Sequence, residues 1–129
     1  MTANAFSSIC LDPPTVMVCI AHGTHTHGYL ESTSRFGVNI LSQQQQELGA
    51  YFARKPEDRT EDVNYHYSEA ADKTPMLDDS MVFFGCEVKG SHEYGDHTIY
   101  VAEVKEMRRN ESSAPLMFYN SRWYNPAAD

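Results

Sequence analysis

Apolar and polar positions alternate along much of the chain, and this period of two predicts β-strands. The run Thr15–Ala21 is short and rich in β-branched residues, and two consecutive prolines precede it, so it predicts a buried strand rather than a helix. The run Arg35–Ser42 predicts a second strand. The apolar residues of this second strand share one face, and they are Phe36, Val38 and Ile40.

Two longer runs with the same alternation follow later in the chain and predict a β-hairpin. They are Met81–Gly90 and His97–Arg108, and the pair Gly95-Asp96 between them favours a tight turn. A last strand is predicted at Pro115–Asn120, and it ends close to an aromatic segment at 122–124. Short turns of this kind are typical of antiparallel sheets.

Helical spacing is confined to two segments. Thr24–Ser34 predicts a short helix with two residues turned inward, Tyr29 and Leu30. Ser42 is a suitable cap for a second helix over Gln43–Lys55, where apolar residues recur at helical spacing. The polar stretch that follows, up to Asp79, contains two prolines and predicts an irregular excursion or a lid. Because strands outnumber helices, the expected fold class is mostly β, a barrel with peripheral helices.

Composition narrows the class of protein further. With 129 residues, 41% of them hydrophobic, the chain is expected to form one globular domain. Its net charge of -8, with ten lysines and arginines, argues against a nucleic acid partner. No apolar run approaches the ~18 residues of a membrane span and no leader segment is recognised, so we expect no membrane partner and a cytoplasmic location. Three cysteines, an odd number, favour a reducing compartment.

Three motifs, in order along the chain, resemble those of one known family. The opening MTANAFSSICLDPP precedes a buried strand, RFGVNILS supplies the next strand, and GDHTI begins a later one. An Arg-x-Tyr pattern, here Arg122 and Tyr124, completes the set. Together these motifs are similar to the flavin reductase-like family, whose members have the FMN-binding split-barrel fold. The resemblance extends over nearly the whole chain and implies a single domain over residues 1–129.

The resemblance implies an NAD(P)H-dependent flavin reductase that uses FMN, with FAD as the alternative flavin. Hydride would pass from the nicotinamide of NADH or NADPH to flavin N5, which is chemistry that the cofactors supply. The family also implies a homodimer, and a flavin-dependent monooxygenase that receives the reduced flavin. Family members carry a helix and opening strands ahead of the TANAF segment, so the domain is expected to be short at its N-terminal side.

The same resemblance implies site residues in three parts of the chain. A flavin needs partners for a planar ring with polar edges, for a polyol chain and for a phosphate, and hydroxyls and turn amides suit these groups. The implied flavin contacts are Thr2, Asn4, Ala5, Phe6, Ser7, Ser8, Thr24, His25, Thr26 and Tyr124. His97 is placed beside the nicotinamide as the candidate catalytic residue, with a structural hydrogen-bonded histidine as the competing interpretation.

The segment HGTHTHG at 22–28 leaves three interpretations open. It begins the predicted short helix, so its amides and hydroxyls suit an anion such as the flavin phosphate. His25 stands where the family often has arginine or lysine, which predicts phosphate binding that is weaker or more dependent on pH. A metal site would use His22 and His27 as well, with Cys19 as a fourth ligand, but the spacing matches no recognised helical zinc motif. The third interpretation is a solvated turn.

Two other functions remain open from the sequence: flavin binding without turnover, and metal binding by the histidines. The chain contains neither a GxGxxG loop nor a GxSxG element. The sequence therefore predicts no separate domain for a pyridine nucleotide and no hydrolase nucleophile. A reductase in which the nicotinamide lies over a bound flavin needs neither.

Overall fold

The computed structural model describes residues 1–111 and 114–124. These residues form nine strands and two α-helices, with single turns of 3₁₀-helix at Gln43–Gln45 and Pro56–Asp58. In chain order the elements are β1 (Phe6–Leu11), β2 (Pro14–Ala21), α1 (His25–Thr33), β3 (Arg35–Ile40), α2 (Gln46–Ala53), β4 (Tyr67–Glu69), β5 (Pro75–Leu77), β6 (Val82–Tyr94), β7 (His97–Arg109), β8 (Met117–Tyr119) and β9 (Arg122–Tyr124).

Five of the strands form one antiparallel sheet in the order β1-β2-β7-β6-β3. β6 and β7 pair along their length as the predicted hairpin, and its turn contains Gly95 at a φ of 59°, which glycine adopts without strain. The other strands form two small hairpins, β4 with β5 and β8 with β9. The expected mostly β fold class is confirmed by this architecture.

The sequence pattern does not predict strand β1. It runs antiparallel to β2 and begins with Phe6 opposite Val18. Every residue of β1 except Phe6 is exposed. The alternation that identifies a half-buried strand is therefore missing from this segment, which explains why the pattern does not indicate it.

The main core lies on one face of the sheet. Val18 and Ile20 of β2 and Tyr100 of β7 are between 2% and 6% exposed, and they pack around Leu30 of α1. The rings of Phe6 and Phe36, from the two edge strands, cover the sides of this cluster. This core packs α1 against the sheet beside the turn that follows β2.

The helices differ in detail from the prediction. Leu30 is buried as expected, but Tyr29 is 67% exposed, so the prediction that it turns inward was wrong. Consecutive residues of a helix point about 100° apart, and a short helix buries only a narrow stripe. Ser42 stands at the N-cap position of the second helical segment, as predicted, and its N–H donates to Gln45 Oε1 at 3.0 Å. A turn of 3₁₀-helix separates this cap from α2.

The stretch between α2 and β6 is less irregular than expected. It contains the hairpin of β4 and β5. Met76 of this hairpin packs with Ala70 on Phe83 of β6, and all three side chains are buried. This second small core attaches an otherwise polar segment to the sheet.

The face of the sheet that points away from α1 carries a row of four apolar side chains. Met17 and Cys19 of β2 lie directly opposite Val101 and Ile99 of β7. All four are partly exposed, and alternation along each strand turns them away from the buried face. We call these four residues the open row.

No helix among the described residues has the length and apolar character needed to cross a bilayer. The cysteines differ in their surroundings: Cys86 is buried, Cys19 is partly exposed and Cys10 is exposed. Burial raises the pKa of the Cys86 thiol to about 11. This thiol therefore stays protonated near neutral pH and serves as a small apolar core residue.

Candidate functional site

Three segments of the chain meet at one end of the sheet. The start of β1 lies beside the end of β2, because the N–H of Cys19 donates to the carbonyl of Ala5 at 3.0 Å. β2 ends beside the start of β7, and the N–H of His22 donates to the carbonyl of Asp96 at 2.8 Å. We call this region the histidine end, and it comprises residues 4–8, 22–28 and 93–98.

The turn between β2 and α1 presents backbone amides to solvent. Gly23 has a φ of 78°, and a Cβ at this position would have nothing within 4 Å. Thr24 caps α1, since its Oγ1 accepts from the N–H of His27 at 3.2 Å and donates to the last carbonyl of β2 at 2.9 Å. The N–H groups of His25 and Thr26 lie in the first turn of α1, where the helix provides no acceptor, so they can donate to an anion.

His22 and His27 share one hydroxyl group. Their Nε2 atoms lie 2.8 Å and 3.2 Å from Thr98 Oγ1, and their ring centroids are 4.8 Å apart. A hydroxyl has a single proton to donate, so Thr98 donates to one imidazole and accepts from the other when both are neutral. The histidine spacing in the sequence does not reveal this contact, because Thr98 lies on another strand.

Each histidine of this pair also faces a carboxylate. His22 Nε2 lies 3.4 Å from Glu93 Oε1, and His27 Nε2 lies 3.8 Å from Glu31 Oε1. Glu31 accepts a further hydrogen bond from the Tyr100 hydroxyl. Burial and the neighbouring carboxylate raise the pKa of Tyr100 to about 12, so this hydroxyl remains a donor near neutral pH. The inward position of Tyr100 in the alternation of β7 is the one sequence signal that could have pointed to this network.

His97 is half-exposed at the same end of the sheet. Its Nδ1 lies 2.8 Å from Asp96 Oδ1. The hydrogen bond and the charge of His97 hold the pKa of Asp96 below its usual range. This contact engages Nδ1 and leaves Nε2 for another partner. Its place beside a nicotinamide stays a prediction.

The start of the chain runs from α2 to the histidine end. Thr2 donates its hydroxyl to the carbonyl of Gly49 at 2.6 Å and its N–H to the carbonyl of Phe52 at 2.9 Å. The ring of Phe6 packs against the core. Four side chains after Thr2 and around Phe6 are exposed, namely those of Asn4, Ala5, Ser7 and Ser8. The structure thus places Asn4 and Ala5 close to the end of β2, whereas Ser7 and Ser8 lie further along that strand, opposite Met17 and Val16.

Tyr124 lies on the hairpin of β8 and β9, which packs on α2. Trp123 contacts Phe118, with ring centroids 4.7 Å apart, and a Cβ on Gly49 would lie 3.1 Å from the Trp123 ring. The hairpin and Thr2 therefore meet at the same glycine of α2. Within residues 1–111 and 114–124, no hydrogen bond or ring contact joins Tyr124 to the histidine end, so its flavin contact stays a prediction.

The structure gives no support to the alternative of a metal site. In the described parts of the chain, no group of three or more His, Cys, Asp or Glu side chains is arranged to hold an ion. The Nε2 atoms of His22 and His27 are directed at the hydroxyl of Thr98 instead. His25 belongs to the same turn but is exposed on the first turn of α1.

A cleft of about 480 Å³ lies at the opposite end of the sheet, where β3 and β7 end and β6 begins. Its lining includes three carboxylates together with His66 and Asn64, and the carboxylates are those of Glu47, Asp78 and Asp79. A lining of this charge disfavours a phosphate-bearing ligand. The histidine end has carboxylates of its own, those of Glu93 and Asp96, but each of them faces an imidazole. Its helix amides can donate to a phosphate, so it fits such a ligand better than the cleft does.

Comparison with known proteins establishes the family. The profile of the flavin reductase-like domain matches residues 1–127. This chain belongs to the flavin reductase-like domain family. The resemblance seen in the TANAF, RFGVNILS and GDHTI motifs is thereby confirmed.

Flavin reductases are among the curated relatives of this chain. It is 37% identical over 126 residues to the NADH-dependent flavin reductase StyB of Pseudomonas fluorescens, a match that covers 96% of this chain and 72% of that protein. It is 33% identical over 122 residues to the reductase component of the 4-nitrophenol 4-monooxygenase/4-nitrocatechol 2-monooxygenase of Rhodococcus opacus, which covers 95% of this chain. The chain spans 64% of the length of that second relative.

Solved structures of flavin reductases share the fold. The NADH:FAD oxidoreductase of Streptomyces globisporus has a TM-score of 0.87 at 27% identity, over 100% of this chain and 78% of that one. The styrene monooxygenase flavin reductase of Pseudomonas putida has a TM-score of 0.85 at 35% identity, over 98% of this chain and 80% of that one. These neighbours are of the split-barrel type, so the expected split barrel with peripheral helices is confirmed.

Proposed function

We propose that this protein is an NAD(P)H-dependent flavin reductase that binds FMN at the histidine end and passes reduced flavin to a monooxygenase. The observation that carries the proposal is the meeting of three segments at one end of the sheet. The hydrogen bonds from Cys19 to Ala5 and from His22 to Asp96 join these segments. Relatives that are NADH-dependent reductases, or reductase components of monooxygenases, support the activity and the partner.

The groups at the histidine end suit the parts of a flavin nucleotide. The exposed hydroxyls of Ser7 and Ser8 suit the ribityl chain, and the first-turn amides of His25 and Thr26 suit the phosphate. Backbone groups between Thr2 and Ala5 offer hydrogen bonds to the edge of the ring. A bound flavin would supply the acceptor for hydride from the nicotinamide, so the protein's own groups would need only to hold and orient the two ligands.

His97 is proposed to orient the nicotinamide. Its imidazole is 48% exposed and lies outside the core, so contact with a second ligand does not disturb packing. Asp96 holds Nδ1 in place at 2.8 Å, which fixes the direction of the ring. Such fixed orientation lowers the entropic cost of aligning two reactants.

Absorbance spectroscopy tests the proposal. Purified protein is mixed with FMN and NADH, and the flavin and NADH bands are followed together with a sample that lacks protein. We expect protein-dependent loss of the NADH band coupled to bleaching of the flavin. FMN binding without NADH consumption would instead indicate a flavin carrier and contradict the reductase. Parallel runs with FAD and with NADPH establish which flavin and which nicotinamide nucleotide the protein prefers.

We further propose that the open row is the interface of a homodimer. Contiguous apolar surface on a folded domain commonly marks a protein interface, and the open row is such a surface. The neighbouring strand β1 carries a further exposed apolar side chain, that of Ile9, which is 49% exposed. Ile99→Glu is expected to yield monomers in light scattering, whereas Tyr67→Glu, at an exposed position of β4, leaves the dimer intact. A wild-type monomer at micromolar concentration would contradict the interface.

A cytoplasmic location is also proposed, on the basis of the thiols. All three cysteines are free, and one of them, Cys10, is exposed. Exposed free thiols persist in reducing compartments. Mass spectrometry of protein purified from cell fractions, with thiols alkylated at lysis, is expected to find reduced Cys10 in the cytoplasmic fraction. Oxidised Cys10, or recovery from another fraction, would contradict the location.

A further inference from the structure

The middle of α2 is contacted by two separate parts of the chain at a single residue, Gly49. The hydroxyl of Thr2 donates to the carbonyl of Gly49 at 2.6 Å, and the N–H of Thr2 donates to the carbonyl of Phe52 at 2.9 Å. On the hairpin of β8 and β9, the ring of Trp123 lies so close that a Cβ on Gly49 would be 3.1 Å from its Cη2 atom. Gly49 itself is buried. The start of the chain and the hairpin therefore meet through this one residue.

Glycine at position 49 is itself an indication of this close approach. Alanine stabilises a helix interior more than glycine does, because glycine loses more backbone freedom on folding. The side chains around Gly49 leave little room for a methyl group: besides its contact with Trp123, a Cβ would lie 3.2 Å from Leu41 Cδ1 and 3.3 Å from Leu116 Cδ2. Carbon atoms in contact prefer larger separations than these. The packing of Trp123 on Gly49 therefore sets how closely the hairpin approaches α2.

Both polar hydrogens of Thr2 are used to anchor it on α2. Its hydroxyl has one proton, which it donates to Gly49, and its N–H donates to Phe52. Thr2 therefore donates neither hydrogen to a ligand while it is bound to α2. The chain is held again at Ala5, whose carbonyl accepts from the N–H of Cys19 at 3.0 Å. The opening segment is thus fixed at two points, one on α2 and one on β2.

The two residues between these points have no attachment of their own. Ala3 and Asn4 are exposed, and in the described part of the chain neither forms a hydrogen bond. Their backbone groups are among those that the proposed function assigns to the edge of the flavin ring. The position of these groups therefore depends on the anchor at Thr2. Because that anchor is on Gly49, it also depends on Trp123.

We propose that Trp123 is a positioning residue for the flavin, which acts through Gly49 and Thr2 to fix the backbone of residues 3–5 beside the ring edge. This inference rests on the proposed function. Removal of the indole allows α2 to shift toward the hairpin, so the opening segment loses its fixed position. Backbone groups that are fixed before binding lower the entropic cost of binding. Loss of this fixation weakens flavin binding and leaves the nicotinamide side unchanged.

Dissociation constants for FMN and for riboflavin, measured by equilibrium dialysis, test the inference. Trp123→Ala and Thr2→Val are each expected to raise both Kd values about threefold to tenfold, which is the effect of losing one neutral hydrogen bond. The two flavins are expected to respond equally, because they share the ring and differ only in the phosphate. In steady-state assays the KM for FMN is expected to rise, while kcat at saturating FMN and the KM for NADH stay within about twofold of the wild type.

The double variant separates action through Thr2 from independent effects. Because Trp123 acts through this anchor, its removal has little further consequence once the hydroxyl of Thr2 is gone. Thr2→Val/Trp123→Ala is therefore expected to bind FMN as weakly as the weaker single variant, within about twofold. Losses that multiply in the double variant would overturn the inference, since the two residues would then act independently.

A second pair of variants tests the same contact without removing an aromatic ring. Gly49→Ala favours the helix itself but places a methyl group against the indole, so it is expected to raise the Kd for FMN about threefold. Phenylalanine lacks the Cη2 atom that approaches Gly49. Trp123→Phe in the Gly49→Ala background is therefore expected to restore the FMN affinity to within about twofold of the wild type. Failure of this rescue would contradict a contact that acts through Gly49.

Gly37→Ala is the control for a general loss of stability, which urea denaturation measures for every variant. Gly37 lies on β3, and a Cβ there would be 2.7 Å from the Phe83 ring, so this substitution destabilises the fold by crowding away from Gly49. Its Kd for both flavins is expected to match the wild type. Flavin binding that weakens as much in Gly37→Ala as in Trp123→Ala would show that Trp123 has only a structural role.

The failure of the inference and the failure of the proposed function give different results. Variants of Trp123 and Thr2 that bind both flavins as the wild type does would overturn the inference alone. A wild-type protein that binds neither FMN nor riboflavin would overturn the proposed function itself.

Discussion

The backbone N–H of His22 donates to the carbonyl oxygen of Asp96 at 2.8 Å. This bond fastens the turn that follows β2 to the turn that precedes β7. The exposed amides at the start of α1 and the imidazole of His97 are therefore held at one end of the sheet. A ligand that contacts both turns binds a surface that is already formed, which limits the entropy lost on binding.

Replacement of Thr24 tests the turn before α1. Thr24→Val removes the acceptor for the N–H of His27 and is expected to lower the free energy of unfolding by about 1 kcal/mol. It is also expected to weaken FMN binding, because the first turn of α1 frays. Thr24→Ser keeps the hydroxyl and is the matched control. Urea denaturation and FMN titration measure the two effects, and unchanged FMN affinity in Thr24→Val would contradict a phosphate contact at this turn.

Replacement of His97 tests the nicotinamide side. His97→Gln is expected to lower kcat/KM for NADH about tenfold, which corresponds to the loss of one good hydrogen bond. The Kd for FMN is expected to stay within about twofold of the wild type. Steady-state kinetics with His66→Gln as control separates the two effects. A loss of FMN affinity equal to the loss of kcat/KM would assign His97 to the flavin instead.

The strands of the fold were predictable from sequence where one face is buried. The alternation at Thr15–Ala21 and in the long hairpin reflects a core face and a more exposed face, and the structure has strands at both. β1 could not be predicted from alternation because all but one of its residues are exposed. The hairpin of β4 and β5 was not predicted because each of its strands has only three residues. Its small core also depends on Phe83, which lies on another strand.

The candidate site was predictable only in part. Thr24 and His25 stand in a recognisable helix-start motif, so local sequence identifies them. The partners of the histidines, Thr98 and Glu93, come from strands more than sixty residues further along the chain. Such contacts depend on strand order and register, which alternation within one segment does not encode.

The ionisation of Tyr100 gives a prediction at high pH. Folding raises its pKa to about 12, against about 10 for an unfolded chain. The folded state therefore binds the phenolic proton more tightly, so this contribution to stability is complete below about pH 10 and is lost as pH rises toward about 12. The difference in unfolding free energy between wild type and Tyr100→Phe is expected to shrink over that range. A constant difference from about pH 8 to about pH 11.5 in urea denaturation would contradict the burial of this hydroxyl.

Substitution of Gly37 tests the packing of β3 against the segment between α2 and β6. A Cβ at this position would lie 2.7 Å from the Phe83 ring and 3.1 Å from the carbonyl of Pro75. Gly37→Ala is therefore expected to lower the free energy of unfolding by about 1–3 kcal/mol. Gly90→Ala is the control, because a Cβ there would have nothing within 4 Å. Equal stability of the two variants in urea denaturation would contradict this close approach.

Hydrogen–deuterium exchange with and without FMN tests the location of the flavin most directly. The amides of residues 4–8 and 22–27 and of the turn at 95–98 are expected to exchange more slowly when FMN is present. Peptides that line the cleft at the opposite end, at 42–48 and 63–66, are expected to be unchanged. Protection confined to that cleft, with no change at the histidine end, would contradict flavin binding where the three segments meet.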